Sequence, residues 1–191
     1  CSLDSGAMVA CVSPQSYTGL VEGSHSFQVR AVDGAGNVDP TPASYTWTVD
    51  TTAPETTLTA SPPAVSGSAS ASFSFTATEA GSSFQCSLDG GAMVACVSPQ
   101  SYTGLVEGSH SFQVRATDAA GNTDPSPASY TWRADTTAPG ITAVTATNVV
   151  PNGATISWTT NEASDSQVEY GTTTAYGSST PLDSTPVTSH S

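Results

Sequence analysis

With 191 residues, 16 Asp and Glu, Arg30, Arg115 and Arg133 as its only strong bases and no lysine, the chain carries a formal charge of −13. That balance excludes nucleic acid as a partner class, because phosphate binding depends on clustered Lys and Arg that displace counterions, and it disfavours an anionic membrane surface; with no transmembrane run in the sequence, membrane insertion is not expected. The acidity reads as solubility in an extracellular medium in preference to an acidic site.

Residues 1–54 recur as residues 86–139, identical at 47 of 54 positions. The differences are small or tolerable at a surface: Ser5 to Gly90, Val32 to Thr117, Gly34 to Ala119, Val38 to Thr123, Thr41 to Ser126, Thr48 to Arg133 and Val49 to Ala134. A repeat at this period marks a modular array, whose units extend, present or bind multivalently. Residues 51–85 belong to the full unit and have no counterpart ahead of Cys1, so the first repeat is expected to lack its first two strands, to expose sheet edges there, and to be part of a longer protein.

Along the chain, period-2 alternation dominates and no window carries a helical stripe. In the complete repeat it predicts strands near 55–60, 70–78, 83–89, 92–97, 101–104, 109–117 and 128–134. The clearest run puts His110, Phe112, Val114 and Ala116 on one face. Short strands separated by turn residues make an antiparallel β-sandwich, so the fold class is all-β. Pro-terminated linkers fall at residues 49–54 and 134–139. The repeat then ends, and a different β pattern follows over 141–149, 154–160 and 167–171, expected to stop before its domain closes. The domains expected are therefore 1–50 (a partial repeat), 51–135 (a complete one) and 136–191 (a partial third domain).

The four cysteines lie as Cys1 with Cys11 and Cys86 with Cys96, each pair flanking a turn sequence. The spacing lacks the paired knuckles of a zinc site and no histidine completes one, so each pair reads as a cross-strand disulfide ahead of free thiols, with metal last. Disulfides imply an oxidising compartment outside the cytoplasm.

Phe84-Gln85-Cys86-Ser87-Leu88-Asp89-Gly90-Gly91, Tyr102-Thr103-Gly104-Leu105, Gly108-Ser109-His110-Ser111-Phe112-Gln113-Val114-Arg115-Ala116 and Asp118-Ala119-Ala120-Gly121-Asn122 together resemble the bacterial Ig-like repeat of large secreted and surface proteins. The tail, with Ala154 to Thr160, Glu162-Ala163-Ser164 and Val168-Glu169-Tyr170-Gly171, resembles the first half of a fibronectin type III domain, with Trp158 where that family places a core tryptophan. The resemblance implies stalks, adhesin repeats, or spacers beside the catalytic domain of secreted hydrolases.

The most site-like feature is the loop Asp118-Ala119-Ala120-Gly121-Asn122-Thr123-Asp124, repeated as Asp33-Gly34-Ala35-Gly36-Asn37-Val38-Asp39. Asp118, Asn122 and Asp124, with Asp135 of the linker and Glu79 from another loop, are the candidate oxygen donors for a structural Ca²⁺, with Asp33, Asn37, Asp39 and Asp50 as the equivalents in the first repeat. Beside that stands the plainer reading, turn chemistry, which the absence of EF-hand spacing favours. Otherwise no cofactor is expected. His25 and His110 read as structural histidines at the sandwich edge. Trp47 and Trp132, each two residues after a tyrosine, read as core in preference to a sugar-binding platform. No nucleophile elbow, oxyanion loop or paired carboxylates appear, so no catalytic residue is assigned. The function expected is a non-catalytic structural, spacer or adhesion array whose partners are neighbouring domains of the same chain and surface glycans or proteins. The alternative is a carbohydrate-binding accessory module of a secreted hydrolase.

Overall fold

The computed structural model describes residues 1–191 and contains only β-strands, with no helix. It divides into two compact units, Cys1–Ala134 and Asp135–Ser191, so all strands of both copies of the repeat lie in the first. The strands of the first unit are β1 (Ser2–Leu3), β2 (Gly23–Val29), β3 (Ala43–Val49), β4 (Thr56–Ala60), β5 (Val65–Ser66), β6 (Ser70–Ala77), β7 (Ser83–Leu88), β8 (Val94–Cys96), β9 (Gln100–Thr103), β10 (Gly108–Thr117) and β11 (Ala128–Ala134). Those of the second are β12 (Ile141–Val150), β13 (Gly153–Ser166), β14 (Glu169–Tyr170), β15 (Ser178–Ser179) and β16 (Asp183–His190).

In the second repeat a three-stranded sheet, β4-β6-β9, covers a five-stranded one, β5-β11-β10-β7-β8. Every pairing is antiparallel except that of the two-residue β5, which runs parallel to the edge of β11 and was not expected from the sequence. The alternation of β10 places His110, Phe112, Val114 and Ala116 inward, all buried, and β6 answers with Ala71, Phe73 and Phe75. Phe73 stacks on Phe112 with ring centroids 4.1 Å apart and leans on Trp132 at 5.1 Å. Each fully buried phenylalanine contributes about 1.5–3 kcal/mol of transfer free energy, so this aromatic cluster is the main apolar support of the module.

Polar bonds fix the two layers in register. Asp124, only 2% exposed, accepts hydrogen bonds from the backbone N–H of Thr56 (2.9 Å) and of Ser126 (2.8 Å), while the Ala116 N–H donates to the Thr56 hydroxyl (2.8 Å). Burial by itself would push the Asp124 carboxyl up, but the bonds from Thr56 and Ser126 together outweigh it and hold the carboxyl below its ordinary value.

Both cysteine pairs are disulfides, Cys1–Cys11 and Cys86–Cys96, with Cα atoms 5.9 and 5.8 Å apart and no cysteine left free. Each encloses a hairpin turn. In the second repeat Asp89 (φ 51°) and Gly90 (φ 71°) are both left-handed and the Gly91 N–H returns to the Leu88 carbonyl at 2.9 Å, the backbone of a type I′ turn. In the first repeat Ser5 holds the glycine position at φ 59°, at a conformational cost that Gly90 avoids.

The first repeat is a single three-stranded sheet, β1-β2-β3, and no second layer covers it. The second unit pairs β12-β13-β16 and, separately, β14-β15. Its strands are exposed over most of their length. Trp158, half-buried on β13, stacks on the buried His190 ring at 5.1 Å, and a groove of about 790 Å³ runs past Trp158, Ile156, Val168 and Tyr170.

Candidate functional site

The carboxylates that converge lie at the linker between the two repeats. Asp50 comes from the linker, Glu79 from the turn after β6, and Asp118 from the end of β10. One oxygen from each lies within 4.8 Å of the others, and all three residues are half-buried. Glu22 of the first repeat stands beside them. Together with Asp50, Glu79 and Thr52 it lines a groove of about 310 Å³. Like charges held this close disfavour ionisation. Burial, followed by the fields of Asp50, Asp118 and Glu22, raises the Glu79 carboxyl above its ordinary value.

The neighbouring groups are already bonded. Asp118 accepts from the backbone N–H of Gly121 (2.7 Å) and of Asn122 (2.8 Å) on one oxygen, and from the Asn122 side-chain amide (2.8 Å) on the other. Burial would raise this carboxyl, but the Asn122 and Gly121 bonds hold it below its ordinary value. The same Asn122 amide donates to the Asp50 backbone carbonyl at 3.1 Å, which ties the loop of the second repeat to the linker. From the other side, Glu22 accepts from the hydroxyls of Thr51 (2.8 Å) and Thr52 (2.7 Å), and these bonds, Thr52 foremost, lower its carboxyl. At the end of the linker Pro54 is buried, and Glu55 exchanges bonds with Thr78, its N–H to the hydroxyl at 2.9 Å and its carbonyl from the N–H at 3.0 Å.

Of the expected calcium donors, Asp118 and Asn122 are neighbours, but Asp124 turns into the core, where Thr56 and Ser126 occupy it. Asp135 is the first residue of the second unit. The linker carboxylate beside Asp118 is Asp50, which the repeat comparison had assigned to the first loop. Asp33 and Asn37 repeat the turn of Asp118 and Asn122, with an Asn37 amide bond to Asp33 at 2.8 Å, while Asp39 accepts from Thr41. Ca²⁺ takes six to eight oxygens. The cluster offers three carboxylates, one already engaged by three N–H bonds, and Asn122 shows it an amide N–H. The chemistry it performs in this geometry is to cap the turn and to fasten the linker.

Sequence reasoning missed two sets of groups. Glu22 carried no motif. His25 and His110 were placed correctly as buried and structural, but their partners were not seen. Nδ1 of His110 meets Asp89 at 2.8 Å and its Nε2 meets the Val106 carbonyl at 2.8 Å, and His25 does the same with Asp4 (2.8 Å) and Val21 (2.7 Å). The signal available was the fixed spacing of each histidine from an aspartate in a stapled turn. A scan against protein-family models finds no match, and a search of curated proteins finds no relative.

Proposed function

We propose that this chain is a non-catalytic extracellular repeat array that provides spacing or adhesion, built of Ig-like modules followed by a fibronectin type III-like module of a bacterial surface or secreted protein. The observation that carries the reading is the linker at residues 50–54. It is hydrogen-bonded to Glu22 of the first repeat and to Asn122 of the second, so the joint between the copies is fastened from both sides. A fastened joint suits a module whose task is reach. The two disulfides belong to an oxidising environment, and no helix is long and apolar enough to cross a membrane. The array needs no cofactor, and its partners are the adjoining domains and surface proteins or glycans.

The carbohydrate-binding reading retains one specific observation. Trp132 is 3% exposed and unavailable as a platform, but Tyr45, 69% exposed, stacks on the half-buried Trp47 with centroids 6.3 Å apart. Affinity electrophoresis of the chain through gels containing soluble polysaccharides separates the two. The spacer reading expects unchanged mobility in every gel. Retardation that Tyr45→Ala abolishes would replace it with the accessory-module reading.

A further inference from the structure

The chain contains five asparagines, and the surroundings of Asn152 differ from those of the other four. The side-chain amides of Asn37 and Asn122 are bonded to Asp33 and Asp118, that of Asn148 donates to the Thr155 hydroxyl at 3.4 Å, and the Asn161 side-chain oxygen accepts from the Gly140 N–H. Asn152 makes no such bond, is exposed, and is the only one followed by a glycine. With Pro151 it forms the tip of the hairpin between β12 and β13, where Val150 pairs with Gly153. A shift in register separates that pair from the pair of Thr147 and Thr155, so a single pair beyond an irregularity holds the tip, and every residue from Ile141 to Thr155 is exposed. Backbone shape does not account for the glycine. Its φ lies outside the left-handed region, as does that of Asn152, and a Cβ placed on it would meet only the Val150 side chain, at an ordinary 3.5 Å.

We propose that Asn152 is a spontaneous deamidation site, at which the backbone nitrogen of Gly153 displaces the side-chain amide and water then leaves aspartate or isoaspartate at position 152. The Gly153 nitrogen gives its proton to solvent and attacks Cγ of Asn152. As the N–Cγ bond forms the Cγ–Nδ2 bond breaks, and Nδ2 takes a proton and leaves as ammonia, closing a cyclic imide. Water then adds to either ring carbonyl. Addition at Cγ breaks the new bond and leaves aspartate on the original backbone. Addition at the main-chain carbonyl breaks the original peptide bond and leaves isoaspartate, with the chain routed through Cγ. The sum consumes one water and releases one ammonia, with no change of oxidation state. Nucleophile and carbonyl are neighbours in one chain, so their proximity is built in, and with no Cβ on Gly153 the attacking nitrogen is unshielded. Pairing with Val150 restrains that nitrogen, so the reaction waits on opening of the terminal pair, which lies at the low-stability end of the fold. Isoaspartate adds an atom to the backbone of a two-residue turn, which then no longer closes on Val150, and either product adds a negative charge. The tip of this hairpin therefore changes with age from neutral and closed to charged, and open wherever isoaspartate forms.

The test incubates the full chain in neutral buffer beside a synthetic peptide of residues 148–156, with ammonia release, peptide mapping by mass spectrometry and labelling by an isoaspartate-specific methyltransferase as readouts. Ammonia and isoaspartate are expected to accumulate together, at position 152 ahead of every other asparagine. The rate should lie within about tenfold of the peptide's, the factor that corresponds to about 1.4 kcal/mol for opening the terminal pair. Gly153→Ala, whose Cβ the structure accommodates, should keep the fold and slow the reaction severalfold or more, and Asn152→Gln should abolish it. In aged protein, hydrogen exchange should quicken at residues 150–155. The proposal is overturned if the chain keeps its Asn152 amide while the peptide deamidates to completion. It is also overturned if the product is aspartate alone, which marks direct hydrolysis by water, or if Gly153→Ala reacts as fast as the unaltered chain.

Discussion

Phe112→Ala is expected to destabilise the second repeat by about 3–5 kcal/mol, the range for truncating a fully buried phenylalanine, whereas Phe27→Ala in the first repeat should cost only about 1 kcal/mol, since a half-exposed ring leaves no closed cavity. The two residues occupy the same position of a repeat identical at 47 of 54 positions. Phe112 is 0% exposed and meets Phe73 at 4.1 Å and Tyr102 at 6.1 Å, while the only ring against Phe27 is Tyr17 at 6.2 Å. The comparison therefore isolates the covering layer from the sequence of the covered strand. Urea unfolding of single-tryptophan variants, with Trp132 reporting one repeat and Trp47 the other, reads both effects. Equal costs in the two repeats would mean that β4, β6 and β9 do not form the support assigned to them.

Raising the pH should weaken the first unit, and His110→Ala should remove much of that dependence. Both ring nitrogens of His110 face acceptors, the Asp89 carboxylate and the Val106 carbonyl, so the geometry is satisfied only by the doubly protonated ring. Its pKa is raised accordingly, by the Asp89 bond first and the Val106 carbonyl next, and that of His25 is raised by the Val21 carbonyl first and then Asp4. The groups around His110 are few. Trp132 lies against the ring at 5.3 Å, and the nearby Glu107 and Arg133 approach each other at 4.0 Å. A histidine whose folded pKa exceeds its unfolded value stabilises fully below the unfolded value, about 6.5. That contribution is lost as pH rises through the folded pKa. The aspartate half runs the other way. Burial opposes but the His110 and Ser111 bonds lower the Asp89 carboxyl, so its contribution holds above the ordinary carboxylate range and disappears in acid. At pH 6 His110→Ala is expected to cost about 2–3 kcal/mol, the scale of hydrogen bonds to charged groups, with a smaller cost at pH 9. A pH-independent cost, read by denaturant unfolding across that range, would contradict the clamp.

The strands of the second repeat were legible because their alternation and their burial agree. The run from His110 to Ala116 is buried at every second residue, and Tyr130, Trp132 and Ala134 share a face with Arg133 pointing away, as expected. The first repeat shows the limit of such reading. Residues 15–18 are identical to Gln100–Thr103, yet only the latter form a strand, because β9 pairs with β6 and the first repeat has no such partner. Identical local propensity gave different structure, and tertiary context decided. Short β5 was invisible for a related reason. Two residues joined to an edge carry no period.

At the candidate site the turn of Asp118 and Asn122 could be read from residue types alone, since Asp, Gly and Asn are what such a loop requires. The rest could not. Asp124 looked like an exposed ligand because the sequence gives no sign that Thr56, 68 positions away, donates to it. Asp50 and Glu79 meet Asp118 only because the linker and the β6 turn fold onto the same corner. The cysteine pairing was legible because the partners are only 10 residues apart across a turn.

A thermal melt of the chain, with and without reductant and with Ca²⁺ or EDTA in each case, tests the central claim most directly. For a closed loop this short the chain-entropy model gives a little under about 3 kcal/mol per disulfide, so reducing both should lower the midpoint of the first unit by about 15–20 °C. Ca²⁺ should leave it unchanged, because Asp118 is already satisfied by Gly121 and Asn122. A midpoint indifferent to reductant, or one that Ca²⁺ raises and EDTA lowers, would contradict a disulfide-stapled spacer and make the Asp50, Glu79 and Asp118 cluster a metal-stiffened joint.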